Sequence, residues 1–314
     1  MARPRQQRTR RQHYVLMVNQ SASCYQEKAV QGLINEIKRR NGSYTVYEPE
    51  TALELLKQTE VVVGKRRSSR DLPAPYSRGG AVTALVACGG DGTFNLVARV
   101  AMVMDLPVAC LPLGKTNNIA RSLYEKPNIE TATKRILTGS YKVIDCAVAA
   151  DQPFFGSIGI GLVPELAEQL QGGQVPRFGI GWSRLVSRVA AGVELKKTVV
   201  KVDSFRFEIR PIILNINLLP YSVGLPLSPA SIADDGLLEI IFDQGDHKAS
   251  FSAYARAIHK KKYLYGDDIR LYRGTVISCQ PMDGQMLYLD GELIKIPMET
   301  LEIRISPKKL SVLC

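Results

Sequence analysis

One phrase, repeated three times before residue 120, constrains this fold more than any other feature of the chain: an apolar β-rich run, a turn of Gly, Asn or Ser, then a helical pattern. Tyr14 to Val18 runs into Asn19-Gln20-Ser21-Ala22-Ser23 and a helix predicted over about Gln26 to Arg40, with Ala29, Leu33 and Ile37 on one face at four-residue spacing. Thr83 to Cys88 leads into Gly89-Gly90-Asp91-Gly92-Thr93 and a helix running toward Met104. Pro107 to Leu111 leads into Pro112-Leu113-Gly114-Lys115-Thr116-Asn117-Asn118 and a helix from about Ile119. Right-handed crossovers between such units give a doubly wound parallel sheet with every turn at one carboxyl edge.

Past Tyr141 the pattern changes to strands joined by short connections: Lys142 to Ala149, Phe154 to Ile160, Thr198 to Val202, Phe205 to Asn217, Gly236 to Phe242, Thr275 to Gln280 and a hairpin from Met286 to Ile296. Helices are predicted only at about Gly181 to Leu195 and Ser250 to Lys261. The expected class is therefore α/β plus β: a basic flexible tail over 1–13, a doubly wound α/β nucleotide-binding domain over 14–140, an antiparallel β-sandwich over 141–299, and a C-terminal strand over 300–314. That strand is free to return to the first domain or to close the second.

Composition removes several function classes. With 314 residues and 45% hydrophobic, the chain has enough apolar mass for two cores without disulfide staples. The most apolar long stretch, Val97 to Leu113, is broken by Arg99, Asp105, Pro107 and Pro112, so no membrane span is predicted. Six scattered cysteines read as reduced, packed thiols of a cytoplasmic protein. Three histidines, none beside a cysteine cluster, provide neither a zinc site nor a Ser-His or Cys-His triad. Of the net charge of +11, five units come from Arg3, Arg5, Arg8, Arg10 and Arg11 in an acid-free start. Further basic runs at Lys65 to Arg70 and His259 to Lys262, and the Arg184/Arg188 pair near Trp182, are candidates for contact with an anionic lipid surface. No nucleic-acid reading module is present.

The chemistry concentrates in the turns. Gly89-Gly90-Asp91-Gly92-Thr93 follows a strand and opens a helix, where unpaired N–H groups and the helix dipole favour phosphate. The glycines allow close backbone approach, Thr93 brings a hydroxyl, and Asp91 a carboxylate able to take a proton or meet a metal. Gly114-Lys115-Thr116-Asn117 repeats the geometry one unit later. It is not a Walker loop, because the earlier glycine that motif requires falls at Ala109. Two acidic turns in the second half, Asp234-Asp235-Gly236 and Asp290-Gly291-Glu292, hold carboxylates of the kind phosphoryl transfer uses.

Taken in order, an early Asn at a strand end, Gly-Gly-Asp-Gly-Thr-x-Asn, Pro-Leu-Gly-x-x-Asn-x-x-Ala-Arg, Pro-x-x-x-x-Asp-Asp-Gly-Leu-Leu and Asp-Gly-Glu resemble the diacylglycerol kinase catalytic domain family, which includes bacterial lipid kinases and sphingosine kinases. The resemblance runs from about Tyr14 to Ile305. It implies an ATP- and Mg²⁺-dependent lipid kinase with its site between two domains and diacylglycerol as the default acceptor, peripheral to the inner face of the membrane, with a homodimer an open option. Carried over, Asn19, Gly89, Gly90, Gly92, Thr93, Gly114, Lys115, Thr116 and Asn117 would hold the nucleotide. Asp91, Asp290 and Glu292 would serve catalysis and Asp235 the metal. On that assignment Asp91→Ala abolishes transfer and leaves the fold intact.

Gln20, Ser23, Leu96, Lys115 and Asn118 depart from the family pattern, mostly in the nucleotide loops. Two alternatives stay open: a non-catalytic nucleotide or lipid binder of the same fold, and a kinase of a soluble acceptor such as the NAD kinases, which share the first turn but not the second loop.

Overall fold

The computed structural model describes residues 12–64, 82–124, 126–138, 140–173, 180–243 and 268–314. The first half comprises β1 (His13–Val18), α1 (Glu27–Arg39), β2 (Ser43–Tyr47), α2 (Ala52–Gly64), β3 (Val82–Gly89), α3 (Asp91–Val103), β4 (Val108–Pro112), α4 (Asn118–Leu123) and α5 (Ile129–Thr138). Every residue of β1 and β4 is buried, as expected of parallel strands covered on both faces. The fold starts one residue earlier than predicted, because His13 pairs with Ser43 and its ring lies between the hydroxyls of Ser43 and Thr45 at 2.9 and 3.2 Å. Helix α1 turns Ala29, Val30, Leu33, Ile34 and Ile37 inward, with Glu27 in its first turn and Lys38 and Arg39 in its last complementing the dipole.

These strands run parallel in the order β2-β1-β3-β4. The chain winds from β1 one way to β2 and the other way to β3, so the carboxyl ends of β1 and β3 flank a topological switch point, where α/β sheets place their ligands. Sequence reading passed over β2, α2 and α5. Strand β2 is half-buried along its length, although its Ser43-Tyr44-Thr45-Val46 sequence does alternate.

The second half comprises β5 (Tyr141–Ala149), β6 (Gln152–Phe154), β7 (Ser157–Gly161), α6 (Leu162–Gly172), α7 (Ile180–Gly192), β8 (Thr198–Val202), β9 (Phe205–Ile209), β10 (Ile213–Asn217), β11 (Leu238–Asp243), β12 (Ile269–Gly274), β13 (Val276–Gln280), β14 (Met286–Leu289), β15 (Glu292–Lys295) and β16 (Leu301–Leu313). A six-stranded antiparallel sheet, β12-β11-β10-β7-β14-β15, packs over strands β5, β16, β13 and β8 of the larger sheet. Phe154, Ile158, Ile216, Phe242, Ile277 and Ile303 are among the side chains that fill the sandwich between them.

The outer face of the six-stranded sheet carries a further layer, α6 and α7, of which only α7 was predicted. Trp182, Leu185, Val186 and Ala190 are buried in that layer while Arg184 and Arg188 point outward. The tryptophan therefore anchors a packed helix and is not itself an exposed interfacial side chain. The predicted run 205–217 is two strands, broken at Arg210-Pro211-Ile212. The arginine-rich start, the Lys65 to Arg70 run, the helix predicted over 250–261 and the lysines at 260–262 lie outside the described residues.

The last strand both closes the second domain and returns to the first. Residues 301–304 of β16 pair with β13, and Val312 sits beside Val108 of β4 in parallel. The two halves thereby share one ten-stranded sheet. Leu301 and Ile303 enter the sandwich core; Leu310, Val312 and Leu313 enter the core of the α/β layer.

Truncating a strand that belongs to two cores has a direct test. Ile303→Ala is expected to lower the unfolding free energy by about 2–4 kcal/mol in urea denaturation. Glu302→Ala, on the exposed face of the same strand with only the Arg304 ion pair to lose, should cost about 0–1 kcal/mol.

Candidate active site

Three turns at the carboxyl edge are laced together before any ligand is considered. Asn19 N donates to Cys88 O at 3.0 Å, Leu113 N to Gly89 O at 2.9 Å, and Cys24 N to Leu113 O at 3.0 Å. The Asn19 side chain donates to the Thr93 hydroxyl at 3.0 Å. Two of the glycines answer this close packing. A Cβ on Gly114 would stand 2.6 Å from Gly90 Cα, and one on Gly89 would collide with the Thr93 side chain. Their first service is to let the loops touch one another.

Asp91 is the first residue of α3, with Gly90 as N-cap, yet its side chain does not cap its own helix. It reaches across to the second loop. Its Oδ2 accepts from Thr116 Oγ1 and Asn118 Nδ2, both at 2.9 Å, and its Oδ1 accepts from Ile119 N at 3.0 Å. Asn118 then extends the network. It donates to the Tyr288 hydroxyl at 3.0 Å and accepts from Gly224 N at 2.7 Å. Gly224 belongs to a tight turn closed by reciprocal bonds between Ser222 and Leu225, in which Val223 is held at φ 44°. A β-branched residue in the left-handed region is strained, and here it faces the cleft.

Asp290 and Gly291 form the two-residue turn between β14 and β15, with φ of 45° and 101°. Far from being a surface hairpin, the turn is buried against the first loop: a Cβ on Gly291 would lie 3.0 Å from Gly92 N. The Asp290 carboxylate accepts four hydrogen bonds. Gly156 N and Ser157 N reach Oδ1 at 2.9 and 2.8 Å; Phe155 N and Asn95 Nδ2 reach Oδ2 at 2.6 and 2.9 Å. Burial pushes both Asp91 and Asp290 up from the ordinary Asp value, the charge of Asp91 adds to the rise at Asp290, and the donors on each carboxylate oppose it.

Glu292 differs from both. It is half-buried, its Cγ and Oε1 each lie 3.7 Å from where a Cβ on Gly92 would be, and no described residue donates a hydrogen bond to its carboxylate. Of the three carboxylates proposed for chemistry, it alone has oxygens uncommitted to holding the structure.

A cleft of about 300 Å³ opens between these elements. Its floor is Asn19, Ser23, Gly90 to Thr93, Gly114 and Thr116; its far wall is Ala167, Leu170, Gln171, Val223, Tyr288 and Gly291. Asn117, at φ 48°, does not line it. Its side chain closes the second loop on itself, accepting from Gly114 N at 2.8 Å and donating to Gly114 O at 2.7 Å.

Two of the predicted site residues are placed differently from the rest. Asp235 is not brought to the cleft: it is exposed, accepts from Leu237 N at 3.0 Å, and belongs to a turn anchored on Asp145, which accepts from Gly236 N at 2.7 Å and pairs with Lys309 at 2.8 Å. Lys115 lines the cleft, but its ammonium is turned to the end of α6, onto the carbonyls of Leu170, Gln171 and Gly173. The floor, with an open helix N-terminus, a hydroxyl and glycine backbone, suits a chain of phosphates. The carboxylates do not suit a protein-held Mg²⁺. Asp91 and Asp290 are consumed by donors, and no group of three or more His, Cys, Asp or Glu able to hold a metal occurs among the described residues.

Sequence reading missed Tyr288, Val223 and the end of α6 as parts of the site, and named Asn95 and Asn118 without a role. Asn95, inside the first motif, and Asn118, at the end of the second loop, carried a local signal; the rest are assembled by tertiary contact.

The sequence model of the diacylglycerol kinase catalytic domain matches residues 13–149. Those residues belong to that family. The far wall of the cleft, with Tyr288 and Gly291, and the flanking Asp290 and Glu292, which do not line it, lie beyond the matched stretch. A protein of Staphylococcus epidermidis (strain RP62A) named "putative lipid kinase" is 32% identical over 100 residues, 31% of this chain and 33% of that protein, so this chain aligns with a third of that relative. A protein of the same description from Staphylococcus aureus (strain bovine RF122) is 26% identical over 251 residues, 74% of this chain and 77% of that one. The crystal structure of a diacylglycerol kinase from Bacillus anthracis str. Sterne superposes with a TM-score of 0.70 over 96% of both chains at 18% identity, a likeness of fold.

The Asp290 network generates a stability prediction. An amide at that position leaves two of its four donors without an acceptor in either orientation. Asp290→Asn should therefore lower the unfolding free energy by about 2–4 kcal/mol, read as a shift of the urea midpoint. Asp91→Ala, which strands three donors, should also destabilise, contrary to the intact fold that the sequence alone suggests.

Proposed function

We propose that the protein is an ATP-dependent kinase that transfers the γ-phosphate to the hydroxyl of an uncharged lipid, diacylglycerol first among them. The observation that carries the reading is the uncommitted carboxylate of Glu292 beside Gly92, at the mouth of a helix N-terminus suited to phosphates. ATP would lay its phosphates along the floor, with N–H groups of α3 and the second loop balancing their charge. The acceptor hydroxyl would stand between the terminal phosphate and Glu292. Glu292 takes the hydroxyl proton as the oxygen bonds phosphorus, the bond from phosphorus to the β,γ-bridging oxygen breaks, and ADP departs. Asp91 and Asp290 position the loops and do not exchange protons.

The far wall bears on the acceptor. Ala167, Leu170 and Val223 give it apolar side chains, a surface suited to the hydrocarbon of a lipid. Mg²⁺ dependence, implied by the family resemblance, has no ready-made set of protein ligands among the described residues. Contact with an anionic membrane through basic segments completes the proposal. No helix among the described residues is long and apolar enough to cross a membrane.

The test is transfer of label from γ-labelled ATP, supplied with Mg²⁺, into the organic phase from mixed micelles of diacylglycerol, sphingosine or other lipid alcohols. Label in phosphatidic acid is the expected result. Nucleotide binding with no organic-phase label would turn the reading to a soluble acceptor or a non-catalytic binder. Glu292→Gln is expected to lower kcat by about 10²–10⁴-fold while the melting temperature moves by no more than about 1 °C. Undiminished turnover in that variant would remove Glu292 as the base.

A further inference from the structure

Lys115 is the most consequential departure in the second loop, and its position gives it a different task from the phosphate contact its place suggests. Helix α6 ends over the cleft, and its last carbonyls have no partner within the helix. The Lys115 ammonium supplies one from the opposite domain, meeting Leu170 O at 2.8 Å, Gly173 O at 3.0 Å and Gln171 O at 3.3 Å. A cation at a helix C-terminus also complements the dipole.

Both ends of this strap are fixed. Behind Lys115, Gly114 packs on Gly90 and is clamped by Asn117; ahead of it, Thr116 donates to Asp91 through its hydroxyl, and its carbonyl accepts from Arg121 Nε at 2.6 Å. On the far side, Ala167, Leu170 and Gln171 of α6 form part of the acceptor wall, and Leu162, Leu166 and Leu170 are locked into the α6–α7 core. The lysine thus sets the distance between the nucleotide floor and one edge of the acceptor wall.

We infer that Lys115 is a positioning residue that holds the end of α6 at the acceptor side of the cleft and does not bind the nucleotide phosphates. The inference rests on the kinase reading for its consequence in turnover, but its physical content can be read without turnover.

Hydrogen–deuterium exchange of the intact protein provides the test. In Lys115→Met, amides of 166–173 should exchange about tenfold faster or more, while affinity for ATP, measured by titration calorimetry, stays within about twofold of wild type. Lys115→Arg, which can still donate to carbonyls, should keep the protection. In the wild-type protein, saturating ATP should leave protection of 166–173 undiminished, which requires no variant to fold. Where lipid transfer is measurable, Lys115→Met should raise the acceptor KM by about threefold or more with the ATP KM little changed. Unchanged exchange in Lys115→Met, a tenfold or larger loss of ATP affinity, or loss of wild-type protection on adding ATP overturns the inference; the first would mean that the ammonium does not hold α6, and either of the others that it serves phosphate. Absence of lipid transfer would instead count against the kinase reading and leave the exchange result to stand by itself.

Discussion

The four hydrogen bonds on Asp290 join elements that the chain makes far apart. Asn95 comes from α3, Phe155 and Gly156 from the break between β6 and β7, Ser157 from the start of β7, and Asp290 itself from a hairpin tip almost two hundred residues beyond Asn95. A carboxylate at that depth survives only because every lone pair is used. Once Asp290 is satisfied, Gly291 must lie against Gly92, and Glu292, the next residue, is delivered to the mouth of the first loop. The position of the one uncommitted acid is a consequence of the committed one.

Asp91 does the corresponding work on the nucleotide side. Through Thr116, Asn118 and Ile119 it fixes the second loop relative to the first, and through Asn118 it is linked to Tyr288 and to the strained Val223-Gly224 turn. The floor of the cleft and its far wall are therefore one hydrogen-bonded unit. Preorganisation of this kind lets donors face a developing charge without rearrangement during the reaction.

Much of the fold could be read from local pattern. The three βα turns, their shared edge and the change to antiparallel strands near Tyr141 all follow from apolar runs and turn residues. What escaped reading has identifiable causes. Strand β2 does alternate, Ser43-Tyr44-Thr45-Val46, but over only five residues, close to the shortest run in which that pattern marks a strand. Helix α6 follows directly from the glycine-rich end of β7, where Gly161 at φ 73° turns the chain without a polar cap. The site was legible as a set of motifs but not as a division of labour. Asp91, Asp290 and Glu292 look alike in sequence; only the count of donors around each separates structural acids from the free one. Asp235 looked like a ligand by analogy, and its partners show a turn anchored on Asp145 and Lys309.

The departures from the family pattern gain sense from their neighbours. Leu96 is partly buried against the core of the α/β layer, where a charged residue would have to be desolvated. Asn118 is the clearest case. An aspartate there would set a second carboxylate against Asp91 in a buried site, with a repulsion on the order of 4 kcal/mol at a separation of ~4 Å and an intermediate dielectric. It would also remove the donor that both Asp91 and Tyr288 require. An amide at 118 resolves both problems, since its nitrogen serves the acid and the phenol while its oxygen takes the Gly224 N–H. The loss of one negative charge at this position is thus compensated within the network, and the site keeps two buried carboxylates with full sets of donors and one left free for chemistry.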